Sequence, residues 1–491
     1  MSAMKQLNKL MLLAVIWAFP LVVGQLPVAG VSFGEAAQAA SSAKKTRKVP
    51  AMRERTYKKL AEAQIMIDPD SAPREEGEPA PVPKGTARDA VELLHELMGS
   101  RGLNSYEKAQ IWNTLAFAYY TLEDMPKTVN AYEQILKQGT ISEALELSSL
   151  RALFQLYYSN EKYLKAIEYI DRFQALQSVL DPQITFFKAT AYYQLDNYRE
   201  SLKQAILVEE IAVARRADRI QSNNATIADA KATPEQKQTA RLALQKMQGA
   251  PAVKENWWYL QVVLYNELED VDSVIRLLEK LIVNYPKKQY WMHLAGMYSE
   301  KGRDDDSLSA YYATYIQGFL VKESEIVMVA QRLLGADNPY EASQILEKGF
   351  KGKSIEENEK NLRLLATAYT LSQETDAAID AWRDATKYAE DGDLHFRLAQ
   401  ALAAEDRHKE AVTAYSDAQK KGGLKKPGDV AFWKGISQMQ LERWDSATKS
   451  FRSAAKLDKK KSKQSRQYIR YIAGERRRQE ELRKMLEGVG E

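Results

Sequence analysis

The chain has no cysteine. That absence excludes disulfides, thiolate metal sites, a thiol nucleophile and a lipid-modified cysteine together. Histidine is nearly as scarce. His95, His293, His395 and His408 lie far apart, with neither an HExxH motif nor a paired spacing, so no zinc hydrolase is written here in the usual way. No G-x-S-x-G elbow, phosphate loop or dinucleotide fingerprint occurs either, and neither catalysis nor a cofactor is expected. Charge of one sign is also lacking, since the net charge is +4 over 491 residues. The basic runs have no aromatic stacking platform beside them, so nucleic acid is not an expected partner. Past residue 33 no apolar run approaches the ~20 residues of a membrane span.

What is present is a repeat. Its clearest copies begin Trp112-x-x-Leu115-Ala116-x-x-Tyr119 and Trp291-x-x-Leu294-Ala295-x-x-Tyr298, and each is followed by a small-to-aromatic step, Thr128 to Tyr132 and Ser307 to Tyr311. A small residue marks the second helix of successive hairpins at Ala90, Thr128, Ala166, Ser201, Val274, Ser307, Ala342, Ala378, Ala411 and Ala447. The steps between markers lie between 33 and 38 residues, except for 73 between Ser201 and Val274. Packing supplies the reason, because antiparallel helices approach closely only where a small side chain faces a large one. An all-α stack of about ten helical hairpins is therefore expected.

The N-terminus reads as a secretory signal over residues 1–39. Lys5 and Lys9 precede the apolar stretch Leu10 to Val23, and Ala37-Gln38-Ala39 offers a small-x-small cleavage site. An uncleaved N-terminal anchor is the competing reading, which Pro20, Gln25, Pro27 and Gly30 disfavour. With no cysteine in the body, the bacterial periplasm is the expected compartment.

Residues 40–87 read as a flexible lead-in, a first helix from Thr56 to Ile67, and a loop with five prolines from Asp68 to Gly85. That loop sits either inside the first hairpin or before the array. Residues 88–207 form an N-terminal block and 257–456 a C-terminal block. Between them, 208–256 reads as a degenerate repeat or as elongated helices. Gln221 to Asn224 looks like a break, and Thr233-Pro234 opens a helix to Met247. Residues 457–491 read as a basic tail with a capping helix from Gln467 to Leu486. From Lys456 onward the charge is +6, so the remainder sums to −2. Such a tail suits a solvated terminal helix, an acidic partner or a membrane surface.

With the pattern placed, the chain from Arg88 to Lys456 resembles a tetratricopeptide-repeat (TPR) protein. Five connecting segments carry a narrower resemblance: Leu103 to Gln110, Asn284 to Trp291, Lys322 to Glu325, Glu357 to Asn361 and Gly423 to Gly428. They look like those of exported TPR proteins of Gram-negative bacteria that accompany ExbB/ExbD/TonB-type energy-transduction systems. The resemblance implies a non-enzymatic periplasmic scaffold accessory to an outer-membrane transport apparatus. Its partners would be TonB, ExbB or ExbD components or an outer-membrane receptor. The alternative is a scaffold for envelope assembly, handling outer-membrane proteins or peptidoglycan machinery.

The resemblance also implies a groove lined by the first helix of each hairpin, with the residue after the signature tyrosine facing into it. Those residues are Tyr120, Tyr158 and Tyr193, joined by Asn113, Phe117, Arg151, Gln155 and Phe186. In the C-terminal block they are Tyr259, Asn266, Gln331, Arg363 and Gln400. An aromatic stripe with interspersed polar groups suits an extended peptide or a partner helix. The same tyrosines read equally well as packing against the second helices. Asp304-Asp305-Asp306 lacks the remaining ligands of a calcium loop and reads as an acidic helix start.

Overall fold

The computed structural model describes residues 47–71 and 81–488. The expected signal segment, 1–39, lies outside the described residues. Within them the secondary structure is entirely helical, and it divides into two compact units, Met1–Tyr285 and Pro286–Glu491.

The first unit holds five hairpins. They are α1 (Glu54–Ile67) with α2 (Ala87–Met98), α3 (Ser105–Thr121) with α4 (Met125–Leu136), and α5 (Glu143–Ser159) with α6 (Tyr163–Leu176). Next come α7 (Pro182–Gln194) with the long α8 (Tyr198–Ala228), an extra helix α9 (Pro234–Gln248), and α10 (Glu255–Glu267) with α11 (Val271–Asn284). The second unit holds five more. They are α12 (Lys288–Glu300) with α13 (Asp304–Ile316), α14 (Glu323–Gly335) with α15 (Pro339–Lys351), and α16 (Glu359–Leu371) with α17 (Thr375–Thr386). The last two are α18 (Asp393–Ala404) with α19 (His408–Lys421) and α20 (Pro427–Gln440) with α21 (Trp444–Leu457), closed by α22 (Lys459–Gly488).

All ten small marker residues are at most 2% exposed, from Ala90 to Ala447. Where the marker is a serine, its hydroxyl is used across the hairpin. Ser201 donates to the Ala189 carbonyl and Ser307 to the Ala295 carbonyl, both at 2.8 Å. The hydroxyl is thus satisfied inside the tightest helix contact, where an unpaired one would cost stability.

The turn between the two helices is one geometry used nine times. A residue with positive φ sits at Glu123, Glu161, Asp196, Glu269, Gly302, Asp337, Gln373, Asp406 and Glu442. Each lies five residues before a marker, so the turn repeats with the spacing of the small residues. The next backbone N–H reaches back to close the first helix, as Asp124 to the Tyr119 carbonyl at 2.8 Å and Arg443 to the Gln438 carbonyl at 2.9 Å. This is the Schellman closure, which satisfies carbonyls left over at a helix end.

Adjacent hairpins are stapled by side chains five residues past the marker. The Tyr119 hydroxyl lies 2.8 Å from His95 Nε2, and Tyr157 donates to Glu133 at 2.7 Å. Tyr369 donates to Glu347 in the second unit. Tyr157 also stacks on Tyr169, with ring centroids 5.4 Å apart.

Two readings left open are decided, and other expectations are corrected. The proline-rich loop belongs inside the first hairpin, between α1 and α2, which pack on each other. The lead-in is anchored at its end: Asn104 Nδ2 donates to the Ala51 carbonyl at 2.9 Å, and the Arg53 side chain and backbone both donate to Glu107. Glu107 is fully buried and also receives the Thr56 hydroxyl at 2.7 Å and the Asn104 N–H at 3.0 Å. Burial opposes its ionisation, but these hydrogen bonds outweigh burial and hold its pKa down to about 2.

The region 208–256 is an elongated hairpin. α8 runs unbroken through Gln221 to Asn224 for 31 residues, and α9 folds back along it. Thr233 caps α9 in a capping box with Gln236, as its sequence suggests. Because α10 packs directly on α8, the first unit extends to Tyr285, one hairpin past the composition break. Finally, α22 starts at Lys459, eight residues before the expected capping helix. It docks through Tyr468, which stacks on Phe451 at 5.1 Å, and through the buried Ile472.

Candidate functional site

The expected aromatic stripe is mostly core. Tyr158 and Tyr193 are 5% and 1% exposed. Each packs on the first residue of its own second helix: Tyr158 meets Tyr163 edge-on at 5.2 Å, and Tyr193 meets Tyr198 at 5.7 Å. Tyr158 also abuts Phe187 at 5.6 Å. Burial raises both phenols, that of Tyr193 to about 12. Asn113 and Phe186 are buried as well, with Phe186 behind Trp257 at 6.4 Å. These four residues pack rather than face a ligand. At Tyr158 and Tyr193 the first residue of the following helix covers the position after the signature tyrosine.

The others remain accessible. Phe117, Tyr120, Gln155 and Tyr259 are half-buried, and Arg151 and Asn266 are exposed. The Arg151 guanidinium lies over the Phe173 ring at 5.4 Å, which holds its fork near the surface of α5 and α6. In the second unit Gln331 is exposed and Gln400 half-buried. Arg363 there is tied to Glu359 at 2.8 Å and to Asp393 at 3.2 Å. The partner-facing candidates are thus a few single side chains on first helices.

Sequence reading missed a cavity of about 740 Å³ at the root of the α8–α9 extension. Its walls come from α8 (Ala212, Arg215, Arg219), α9 (Leu242, Lys246), the loop to Lys254, and Trp257 on α10. Arg216 caps the end of α9 by donating to the Met247 and Ala250 carbonyls. Arg215 pairs with Asp181 at 3.3 Å. Lys254 spans the Gln183 side-chain oxygen at 3.0 Å and the Trp257 ring at 4.9 Å. The sequence signal was the cluster Arg215, Arg216 and Arg219, which one turn of helix brings to one side.

Catalytic geometry is not assembled by the histidines. His95 is engaged by Tyr119, and His408 lies 3.5 Å from Asp406. His293 is pushed down by burial, against the pull of Glu300. Among the described residues no three His, Asp or Glu side chains gather as a metal site. Asp304, Asp305 and Asp306 form the first turn of α13, where Arg303 binds Asp306 at 2.7 Å. In the tail, Lys461 pairs with Asp429 at 3.0 Å and Arg476 with Asp445 at 2.7 Å. No described helix is long and apolar enough to cross a membrane.

No curated protein matches this chain. Among solved structures it is similar to MamA, at 21% identity over 36% of this chain and 94% of that one, with a TM-score of 0.30. It is similar to YrrB, described as a TPR protein with an unusual peptide-binding site, at 16% identity over 37% of this chain and 92% of that one, TM-score 0.30. The TPR2AB domain of yeast Sti1 in complex with pHSP90 shares 15% identity over 60% of this chain and 98% of that one, TM-score 0.30. Residues 364–424, reaching from α16 to just past α19, match the tetratricopeptide repeat family model. The fold is an all-α array of TPR-type helical hairpins.

Proposed function

We propose that this chain is a non-enzymatic scaffold of the bacterial periplasm that docks protein components of a TonB-type, proton-motive-force-driven outer-membrane transport system. The N-terminal segment 1–39 would carry it across the inner membrane, and the basic face of α22 would rest against a membrane surface. The observation that carries the scaffold reading is the hairpin array, whose TPR pattern is matched at 364–424 and whose first helices present isolated accessible side chains. Repeat arrays of this kind offer extended surfaces to other chains. The TonB assignment rests on the connecting segments, such as Leu103 to Gln110 and Gly423 to Gly428. The docking residues in the first unit are Phe117, Tyr120, Arg151 and Gln155.

In-cell crosslinking followed by pull-down from cell envelopes tests this. Recovery of ExbB, ExbD, TonB or an outer-membrane receptor is expected. Failure to recover any of them, under conditions that preserve known envelope complexes, would falsify the TonB assignment. Capture of outer-membrane-protein or peptidoglycan machinery instead would transfer the role to envelope assembly.

A further inference from the structure

The cavity beside α8 and α9 combines three chemical features. Five cationic side chains line it, Arg215, Arg216, Arg219, Lys246 and Lys254, and no acidic side chain does. Three of these are engaged, Arg215 by Asp181, Arg216 by the end of α9 and Lys254 by Gln183 and the Trp257 ring, while Arg219 and Lys246 lie exposed. The floor is apolar, with Ala212, Ala243 and Met247 beside a Leu242 that is 49% exposed. Trp257 belongs to the same lining, is 4% exposed, and its indole N–H has no hydrogen-bond partner. A buried donor left without an acceptor costs stability.

Charge complementarity therefore asks for an anion, and the floor asks for an apolar body attached to it. Phosphate supplies charge without the body, and a fatty carboxylate supplies one charge against several cations. A volume of about 740 Å³ holds a few residues of extended chain rather than a folded domain.

We propose that this cavity binds an acidic peptide segment of a partner protein, with carboxylates on Arg219 and Lys246 and an apolar side chain against Leu242 and Trp257. The inference rests on the scaffold reading and names one of its docking points, away from the first-helix residues above.

The test uses the purified full chain and a short fluorescein-labelled peptide of alternating glutamate and leucine, followed by anisotropy. Its counterpart with glutamine in place of glutamate is run alongside. Saturable binding of the glutamate peptide is expected, weakening with salt as exposed charges are screened. The glutamine peptide, and the double variant Arg219→Glu with Lys246→Glu, should each bind about tenfold or more weakly. Both substituted side chains are exposed, so thermal unfolding of the variant should match the parent. A control pair on α22, Lys463→Glu with Arg470→Glu, should bind as the parent does. Absence of saturable binding, full binding by the cavity variant, or equal loss in the control pair would each overturn the proposal. The envelope pull-down reads the whole chain in its compartment, so the scaffold reading and this cavity fail separately.

Discussion

Tyr157 donates its hydroxyl to Glu133 at 2.7 Å across the boundary between α4 and α5. The same contact, five residues past a marker and onto the next signature tyrosine, recurs as His95 with Tyr119 and as Glu347 with Tyr369. The signature tyrosine therefore fills the space inside its hairpin with its ring and joins the preceding hairpin with its hydroxyl. Tyr157→Phe keeps the ring and deletes the bond. It should cost ~1–2 kcal/mol, read as a lower urea midpoint with an unchanged slope. An unchanged midpoint would show that the staple contributes nothing.

Alkaline pH should loosen the first unit. Burial, aided for Tyr169 by Glu133, raises Tyr132, Tyr169 and Tyr193 from 10.0 to about 12. A folded-state pKa above the unfolded value means the folded chain holds these protons more tightly. The contribution is complete below pH 10 and is lost as pH climbs toward 12. Helical circular dichroism and tyrosinate absorbance should change together in that window. Tyrosinate forming at about pH 10 with helicity intact would contradict the burial of these rings.

Acid should act at the N-terminal end first. Glu107 is depressed from 4.5 to about 2, so its contribution is present above pH 4.5 and is lost as pH falls toward 2. Glu107→Ala leaves the Thr56 hydroxyl and the Asn104 N–H without their acceptor, and should cost ~1–3 kcal/mol near neutral pH. Hydrogen exchange should show the faster opening in α1 and α3, with the second unit unaffected. The gap between parent and variant should narrow below pH 4.5.

The nine turns invite a stability gain. A left-handed residue with a side chain costs ~1–2 kcal/mol relative to right-handed backbone, and glycine relieves most of it. Glu269→Gly and Glu442→Gly, both at exposed positions, should each stabilise by ~0.5–1 kcal/mol. Gly302→Ala should do the reverse, because its φ is +69° and no neighbouring atom would meet the added methyl. Thermal melts of the three variants decide it by sign alone.

The hairpins were legible because a small residue facing an aromatic is a local requirement that recurs at fixed spacing, and Ala90 through Ala447 all proved buried. The turn was not legible, since Gly302 alone among its nine left-handed residues advertises the conformation. Tyr158 and Tyr193 were open to two readings, and their contacts with Tyr163 and Tyr198 settle their packing. The α8 extension was obscured because Gln221, Ser222, Asn223 and Asn224 look like a loop. Their helix penalties are each only a fraction of a kcal/mol, too small to stop a helix braced by α9. Arg53 and Glu107 are 54 residues apart, and no periodicity links them.

Four hairpins of the first unit and five of the second make this same turn, so within each unit the left-handed residues fall along one edge. In the first unit that edge carries Glu123, Glu161, Asp196 and Glu269, and in the second Asp337, Asp406 and Glu442, all exposed. The carbonyl ends of the first helices point the same way and add the negative pole of each helix dipole. Each unit thus has a polarity that its net charge hides: an anionic fringe at the turns, able to repel or orient an approaching surface before any side chain in a groove is reached.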